Sequence, residues 1–209
     1  MITKEISKLC KKRKSIYNIK GSDNVNWIGD GSALYPLYKF NDLDKPACLA
    51  LLDIPDGEEE SIGYFDYLLH SIHILGDLQQ SDRLLPNDGL TVVIHGESYK
   101  TYVIDNEILF INEKYFKPIK DIIKNENNVI RCFLRYDKEQ KFVVVKSGFT
   151  VIAIICTSNV LSLKYIETMR EYLRICEITL KSNSSNNDAF ADINQQTFED
   201  CEFTEGGGT

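Results

Sequence analysis

The longest uninterrupted apolar run of the chain extends only from Val151 to Cys156. That length suits a buried strand, whereas a helix that crosses a bilayer needs about 20 apolar residues. The N-terminus is polar and rich in lysine, and it lacks the apolar block of a signal peptide. We therefore expect a cytoplasmic protein without membrane contacts.

Length and composition are those of an ordinary globular protein. The 209 residues suffice for one large domain or two small ones, and 43% of them are hydrophobic. The six cysteines are scattered without any C-x-x-C pair, which disfavours a disulfide framework or a zinc site. We expect Cys132, Cys156 and Cys176 to be small apolar core residues.

Charge is distributed unevenly along the chain, whose formal net charge is -7. Residues 1–20 contain seven Lys or Arg against one Glu, and residues 181–209 contain six Asp or Glu against one Lys. We expect a basic N-terminal segment (1–20), a globular region (21–180) and an acidic flexible tail (181–209). The serine, asparagine and glycine content of the last segment favours flexibility.

Strand signals dominate the globular region. Short apolar segments alternate with turns such as Gly29-Asp30-Gly31 and Pro55-Asp56-Gly57. The pattern predicts an α+β fold with a mostly antiparallel sheet and a few helices. The strand candidates are Ile16–Ile19, Val25–Ile28, Thr91–Ile94, Tyr99–Ile104, Ile108–Ile111, Val129–Leu134, Phe142–Val145 and Val151–Cys156.

Helical spacing of apolar residues occurs in two further segments. Tyr64 to Leu75 has such a spacing, although its flanks also permit an irregular segment. A closing helix is predicted from about Ser162 to Cys176. Its buried stripe is expected to consist of Ile166, Met169, Leu173 and Cys176.

A loose internal repetition is present. Trp27-Ile28 precedes Tyr35-Pro36-Leu37 much as Phe110-Ile111 precedes Phe116-Lys117-Pro118-Ile119, with an offset of 83 residues. A duplicated strand-helix unit, with copies at about 21–105 and 106–180, would account for this pattern. The alternative is coincidence, since the pattern is short.

The segment Lys114 to Lys124 predicts a two-faced helix. At 100° per residue its apolar side chains share one face, while Lys117, Lys120 and Lys124 cluster on the other with Lys114 beside them. Pro118 requires that the helix begin near Lys117 or bend there. The lysine face can contact phosphates, and the alternative is a solvated helix whose charge is partly balanced by neighbouring carboxylates.

The order of elements from Ile108 to Leu161 resembles the last repeat of bacterial and phage DNA sliding clamps. The resemblance rests on Phe110–Ile119, on Phe142–Val145, and on Gly148 before Ile152–Ile155. In that family the closing strand runs into a Met-Pro-x-Arg-Leu end that helps to form a pocket for partner peptides. This chain has Cys156–Leu161 there instead, and a further helix follows. The resemblance covers about a quarter of the chain.

The resemblance implies a non-enzymatic accessory protein of phage-type replication or recombination, located in the host cytoplasm if a phage encodes it. We expect no cofactor. Such a protein would bind duplex DNA through phosphates, recruit replication or recombination proteins, and close into a homo-oligomer. The DNA-binding candidates are Lys114, Lys117, Lys120, Lys124, Lys11, Lys12, Arg13 and Lys14. The partner-binding candidates are Ile155, Cys156, Val160, Leu161, Phe198 and Phe203.

Two alternative functions remain open. An interaction or inhibitor module could engage a host protein through its acidic surface and its tail, in which aromatic residues recur. A metal-dependent nuclease could use Asp53, Asp56, Asp105 and Glu107 to hold a cation on a phosphate. His70, His73 and His95 are conceivable metal ligands, although zinc prefers closer cysteine or carboxylate neighbours. No phosphate loop, dinucleotide motif or serine elbow is present.

Overall fold

A computed structural model of the protein describes residues 2–20, 25–38, 40, 43–68, 81–86, 89–105 and 107–199. The chain divides into two compact units, residues 1–160 and 161–209. The fold class is α+β with a mostly antiparallel sheet, as the sequence predicted. Within the described residues, no helix has the length and apolar character needed to span a membrane.

The helices and strands have the following bounds. The helices are α1 (Ile2–Arg13), α2 (Lys45–Leu51), α3 (Lys120–Lys124) and α4 (Leu163–Glu199), with 3₁₀ helices at Glu59–Ser61 and Glu113–Ile119. The strands are β1 (Ser15–Lys20), β2 (Asn26–Gly29), β3 (Ala33–Leu37), β4 (Gly63–Leu68), β5 (Arg83–Leu84), β6 (Thr91–Ile94), β7 (Glu97–Ile104), β8 (Glu107–Asn112), β9 (Ile130–Asp137), β10 (Gln140–Ser147) and β11 (Thr150–Cys156).

The strands of the first unit form two sheets. The larger sheet has the order β4-β1-β2-β3-β11-β10-β9-β5, and the smaller has the order β6-β7-β8. All described strand pairs are antiparallel except β1 with β4. Strand pairs such as β9-β10 and β10-β11 are joined by tight turns, which antiparallel pairing allows.

The larger sheet contains a duplicated arrangement of one helix followed by three strands. The first copy is α1-β1-β2-β3, and the second is the 3₁₀ helix with α3, followed by β9-β10-β11. The copies meet where β3 pairs with β11, at Leu34 with Ile154 and Ala33 with Ile155. The repetition of Trp27 and Phe110 seen in the sequence does not follow this arrangement, because those residues lie on β2 and β8.

Helix α1 packs one apolar face into the core. Ile6, Leu9 and Cys10 are buried, and they recur at helical spacing. The helix ends at Arg13, and the next residue, Lys14, has a φ of 54°, in the left-handed region that commonly follows a helix end. The basic residues of its last turn stand at the negative end of the helix dipole, where positive charge is favourable.

The predicted lysine-bearing helix is confirmed, in two parts. A 3₁₀ helix from Glu113 to Ile119 contains Pro118, and α3 continues it from Lys120. The Asn112 side chain accepts a hydrogen bond from the Lys114 backbone N–H at 3.1 Å, which caps the first turn. Because proline lacks an N–H and crowds the preceding turn, the α-helix begins only after Pro118.

The core lies between the larger sheet and the helices that pack on it. Buried residues on one sheet face, among them Ile28, Tyr35 and Val143, form a cluster with residues of α1 and of the 3₁₀ helix. The Tyr35 hydroxyl donates to the Tyr115 carbonyl oxygen at 2.7 Å and so ties β3 to the 3₁₀ helix. This packing fixes the lysine-bearing helix relative to the sheet.

The helical spacing of Tyr64–Leu75 does not give a helix in its described part. Residues 63–68 form β4, which runs parallel to β1, and residues 69–75 lie outside the described residues. The Tyr17 ring stacks on Phe65 with ring centroids 4.7 Å apart and on Tyr67 at 6.2 Å. These aromatic contacts between strands stabilise the sheet pairing.

The predicted buried stripe of the closing helix is wrong. Met169, Leu173 and Cys176 are exposed on α4, and Ile166 is only half-buried. The reason is that α4 is the single described element of the second unit, so no other described element of that unit covers this face. The other two predicted core cysteines, Cys132 and Cys156, are half-buried.

Candidate functional site

A cleft of about 390 Å³ lies where β7, β9 and the lysine-bearing helix meet. Its volume falls within the range of ordinary ligand sites. We call it the lysine cleft. Its lining residues are Lys100, Tyr102, Glu113, Phe116, Lys117, Lys120, Ile123, Lys124, Ile130 and Cys132.

The helix and β7 together bring four lysines to this cleft. Lys117, Lys120 and Lys124 follow one another at helical spacings of three and four residues, and all three are exposed. Lys100 comes from β7, two residues before Tyr102, and side chains two apart on a strand share a face. The Lys100 Nζ lies 5.3 Å from the centroid of the Tyr102 ring, a cation–π contact that orients the ammonium group.

In the lining of the lysine cleft, the ammonium groups outnumber the carboxylates. Among the residues that the structure describes, no ion pair engages Lys117, Lys120 or Lys124. Glu113 is the one acidic residue in the described lining, and its Oε1 accepts a hydrogen bond from Thr91 Oγ1 at 2.9 Å. Four ammonium groups around one carboxylate attract a polyanion.

The floor of the lysine cleft is apolar. Phe116 and Ile130 are half-buried, and Tyr102 is 2% exposed. Burial raises the pKa of the Cys132 thiol, so that this group is protonated and uncharged at neutral pH. The cleft therefore combines a cationic rim with an uncharged base, and the rim attracts negatively charged groups.

Lys114 belongs to a second group of cations. Its Nζ lies 3.7 Å from Glu97 Oε2, and the Lys12 Nζ lies 3.4 Å from Glu97 Oε1. Burial alone would raise the pKa of Glu97, but the charge of Lys114, a hydrogen bond from Asn112 and the contact with Lys12 lower it. A cavity of about 190 Å³ beside this group is lined by Leu9, Lys12, Arg13, Asp30, Lys114 and Tyr115.

The other N-terminal cations make contacts within the protein. Lys11 Nζ donates to the Asp53 carbonyl oxygen at 2.6 Å, and Arg13 Nη1 donates to Ser32 Oγ. Lys14 is exposed at the end of α1. Of the eight predicted DNA-binding residues, Lys117, Lys120 and Lys124 line the lysine cleft. Lys12, Arg13 and Lys114 line the second cavity, and Lys11 and Lys14 line neither.

Sequence analysis missed Lys100. Its strand, Tyr99–Ile104, was predicted, but a lysine on a strand gives no sign of facing a helix that follows in the chain. The period-two alternation of Lys100 and Tyr102 was the available signal, since it places a cation and an aromatic ring on one face. The contact with the helix is a tertiary relationship that needs coordinates.

The predicted partner-binding residues lie in different environments. Ile155 is completely buried in the core, and Cys156 and Val160 are half-buried. Burial raises the pKa of the Cys156 thiol to about 11. Leu161 is 36% exposed in the second unit. Phe198 lies on α4 at a position whose side chain is not described, and Phe203 lies outside the described residues.

The acidic residues considered for a nuclease do not converge on one point. Asp105 pairs with Arg83, and Glu107 pairs with Lys141. In the part of the chain that the structure describes, no three His, Cys, Asp or Glu side chains form a group that could hold a metal ion. His70 and His73 lie outside those residues.

No protein-family model, curated protein or solved structure matches the chain.

Proposed function

We propose that this protein is a non-enzymatic accessory protein that binds the phosphate backbone of duplex DNA in the lysine cleft. One observation carries the proposal: Lys100, Lys117, Lys120 and Lys124 line one cleft against a single described carboxylate, that of Glu113. Each phosphate that these lysines neutralise releases condensed counterions, which favours binding at low salt.

The charge distribution favours binding at this face. The chain carries a net charge of -7, so the molecule as a whole repels a nucleic acid, which is attracted only where cations are concentrated. Lysine contacts with phosphates fix the position of a duplex without reading its bases. We therefore expect binding that depends strongly on salt and weakly on sequence.

The arrangement of the larger sheet supports the accessory role. The sheet joins two copies of one helix followed by three strands, and such an internal repetition is in keeping with a resemblance to one repeat of a sliding clamp. These copies differ in bounds and in element order from the strand-helix unit expected at about 21–105 and 106–180. In such a role the protein would recruit replication or recombination proteins while it is bound to DNA.

The test is the salt dependence of duplex binding, measured by fluorescence anisotropy between 50 and 200 mM NaCl. The test variant reverses the charges of Lys117, Lys120 and Lys124 to Glu. The control reverses Lys45, Lys138 and Lys164, which are exposed and line no part of the cleft. Both variants change the net charge equally, so a general loss of positive charge cannot explain a difference between them.

We expect the wild type and the control to bind with a steep salt slope, and the cleft variant to lose at least ten-fold in affinity. A slope of about -0.9 per neutralised phosphate predicts a decrease of up to about three in its magnitude. Negligible binding by the wild type, or equal binding by both variants, would overturn the proposal.

A further inference from the structure

Helix α4 has a long apolar face that its own unit leaves uncovered. Met169, Leu173 and Leu180 are 39%, 59% and 69% exposed, and Cys176 is exposed as well. The stripe formed by Ile166, Met169, Leu173, Cys176 and Leu180 repeats at alternating spacings of three and four residues. Apolar residues at this spacing are typical of the seam of a coiled coil, in which each of them packs between residues of a facing helix.

The opposite side of α4 is polar. The Arg174 Nη2 lies 2.7 Å from Glu171 Oε1, one turn earlier on this side. The charged residues of this side are Glu167, Arg170, Glu171, Arg174, Glu177 and Lys181. The polar side also contains two exposed apolar residues, Ile175 (46% exposed) and Ile178 (54% exposed). A helix with one polar and one apolar face is stable in water when another element covers the apolar face.

We propose that α4 packs against α4 of a second copy of this chain, as an antiparallel pair with Leu173 opposite Cys176 of the other copy. A twofold axis then relates the two helices, and the same face of each copy forms the contact. The contact is independent of the lysine cleft and of the proposed DNA binding.

Charge complementarity selects this register. Arg170 and Glu177 flank the apolar seam at equivalent heptad positions, and in this register each lies beside the oppositely charged residue of the other copy. Sliding one helix by seven residues would set Arg170 against Arg170 or Glu177 against Glu177. A parallel pair would place Arg170 and Glu177 beside tyrosines and would form no such ion pair.

The first experiment measures the mass of the full chain by sedimentation equilibrium. Leu173→Lys is compared with Ile178→Lys, because the two side chains are similarly exposed on opposite faces. We expect a wild-type dimer, at least a ten-fold weaker dimer for Leu173→Lys, and no change for Ile178→Lys. A monomeric wild type at 100 µM, or equal effects of the two variants, would overturn the proposal. Circular dichroism checks that each variant keeps its helices.

The second experiment tests the antiparallel register by oxidation. In a Cys201→Ser background, Leu173→Cys places a thiol opposite Cys176 of the second copy. We expect this variant to form a covalent dimer on a nonreducing gel, and the background protein to form none. A covalent dimer formed through Cys176 in the background protein would indicate a parallel pair and would contradict the register.

Discussion

Arg135 donates two hydrogen bonds to the carboxylate of Asp82 in the interior of the first unit. Nε lies 2.8 Å from Oδ1 and Nη2 lies 2.6 Å from Oδ2, and the two side chains are 0% and 1% exposed. A bidentate pair of this geometry is stronger and more directional than a single ion contact. Asp82 immediately precedes β5, so the pair anchors this short edge strand to β9.

The first prediction concerns this pair. Asp82→Asn removes the negative charge from one side of this buried pair, and the loss of one partner of a buried pair costs about 3–5 kcal/mol in the free energy of unfolding. Urea denaturation measures the change. Asp137→Asn, an exposed control on β9, should cost less than about 0.5 kcal/mol. A change of similar size in both variants would show that Asp82 contributes little.

Strands β10 and β11 of the second repeat were predictable because their apolar runs are uninterrupted. Val143, Val144 and Val145 are all completely buried, and such runs indicate a strand with both faces covered. The two-faced helix was also predictable, since a lysine face and an apolar face differ at every turn. Pro118 predicted that the helix begins near Lys117 or bends there, but it did not predict that the first part is a 3₁₀ helix.

Other features of the fold required the tertiary structure. Asp82 and Arg135 are 53 residues apart, and nothing in the local sequence pairs them. Helix α1 was not predicted, although Ile2, Ile6 and Leu9 have helical spacing, because residues 1–20 were interpreted by their charge alone, as a basic segment. The burial of the apolar face of α4 was predicted wrongly, because periodicity indicates which residues share a face and does not indicate what covers that face.

The second prediction follows from the position of Glu97 beside Lys12 and Lys114. Glu97→Gln removes the carboxylate that holds both ammonium groups, so more cations become available to phosphates. We expect several-fold tighter duplex binding and a salt slope steeper by up to about two. Glu139→Gln, at an exposed turn, is the control with the same change in charge. Unchanged binding by Glu97→Gln would exclude this second group of cations from the interface.

The third prediction concerns pH and the same carboxylate. Glu97 faces Lys12, Lys114, Asn112 and Tyr99, and the folded protein lowers its pKa below the ordinary value of 4.5. A lowered pKa contributes stability above the unfolded-state value, and this contribution is lost as pH falls through the folded-state value. Below about pH 4.5 the free energy of unfolding should therefore decrease less steeply in Glu97→Gln than in the wild type. Denaturation curves between pH 3 and 6 measure both slopes, and parallel slopes would contradict the expectation.

The fourth prediction separates DNA binding from the interaction-module alternative. Removing residues 181–209 eliminates six acidic residues and one lysine, and it leaves the lysine cleft intact. We expect duplex affinity to be unchanged or higher, because repulsion of phosphates decreases. Anisotropy with the same duplex measures the effect. Loss of duplex binding on truncation would show that the cleft is not sufficient.

The junction between β3 and β11 has a consequence for synthesis of the chain. The first helix and its three strands leave the ribosome early, but the strand that completes the edge of β3 begins only at Thr150. Until that residue emerges, the nascent half presents an unpaired strand edge, the kind of surface that joins other chains. The late closure of the sheet therefore makes the interval between the synthesis of β3 and that of β11 the period in which the nascent chain is most open to aggregation.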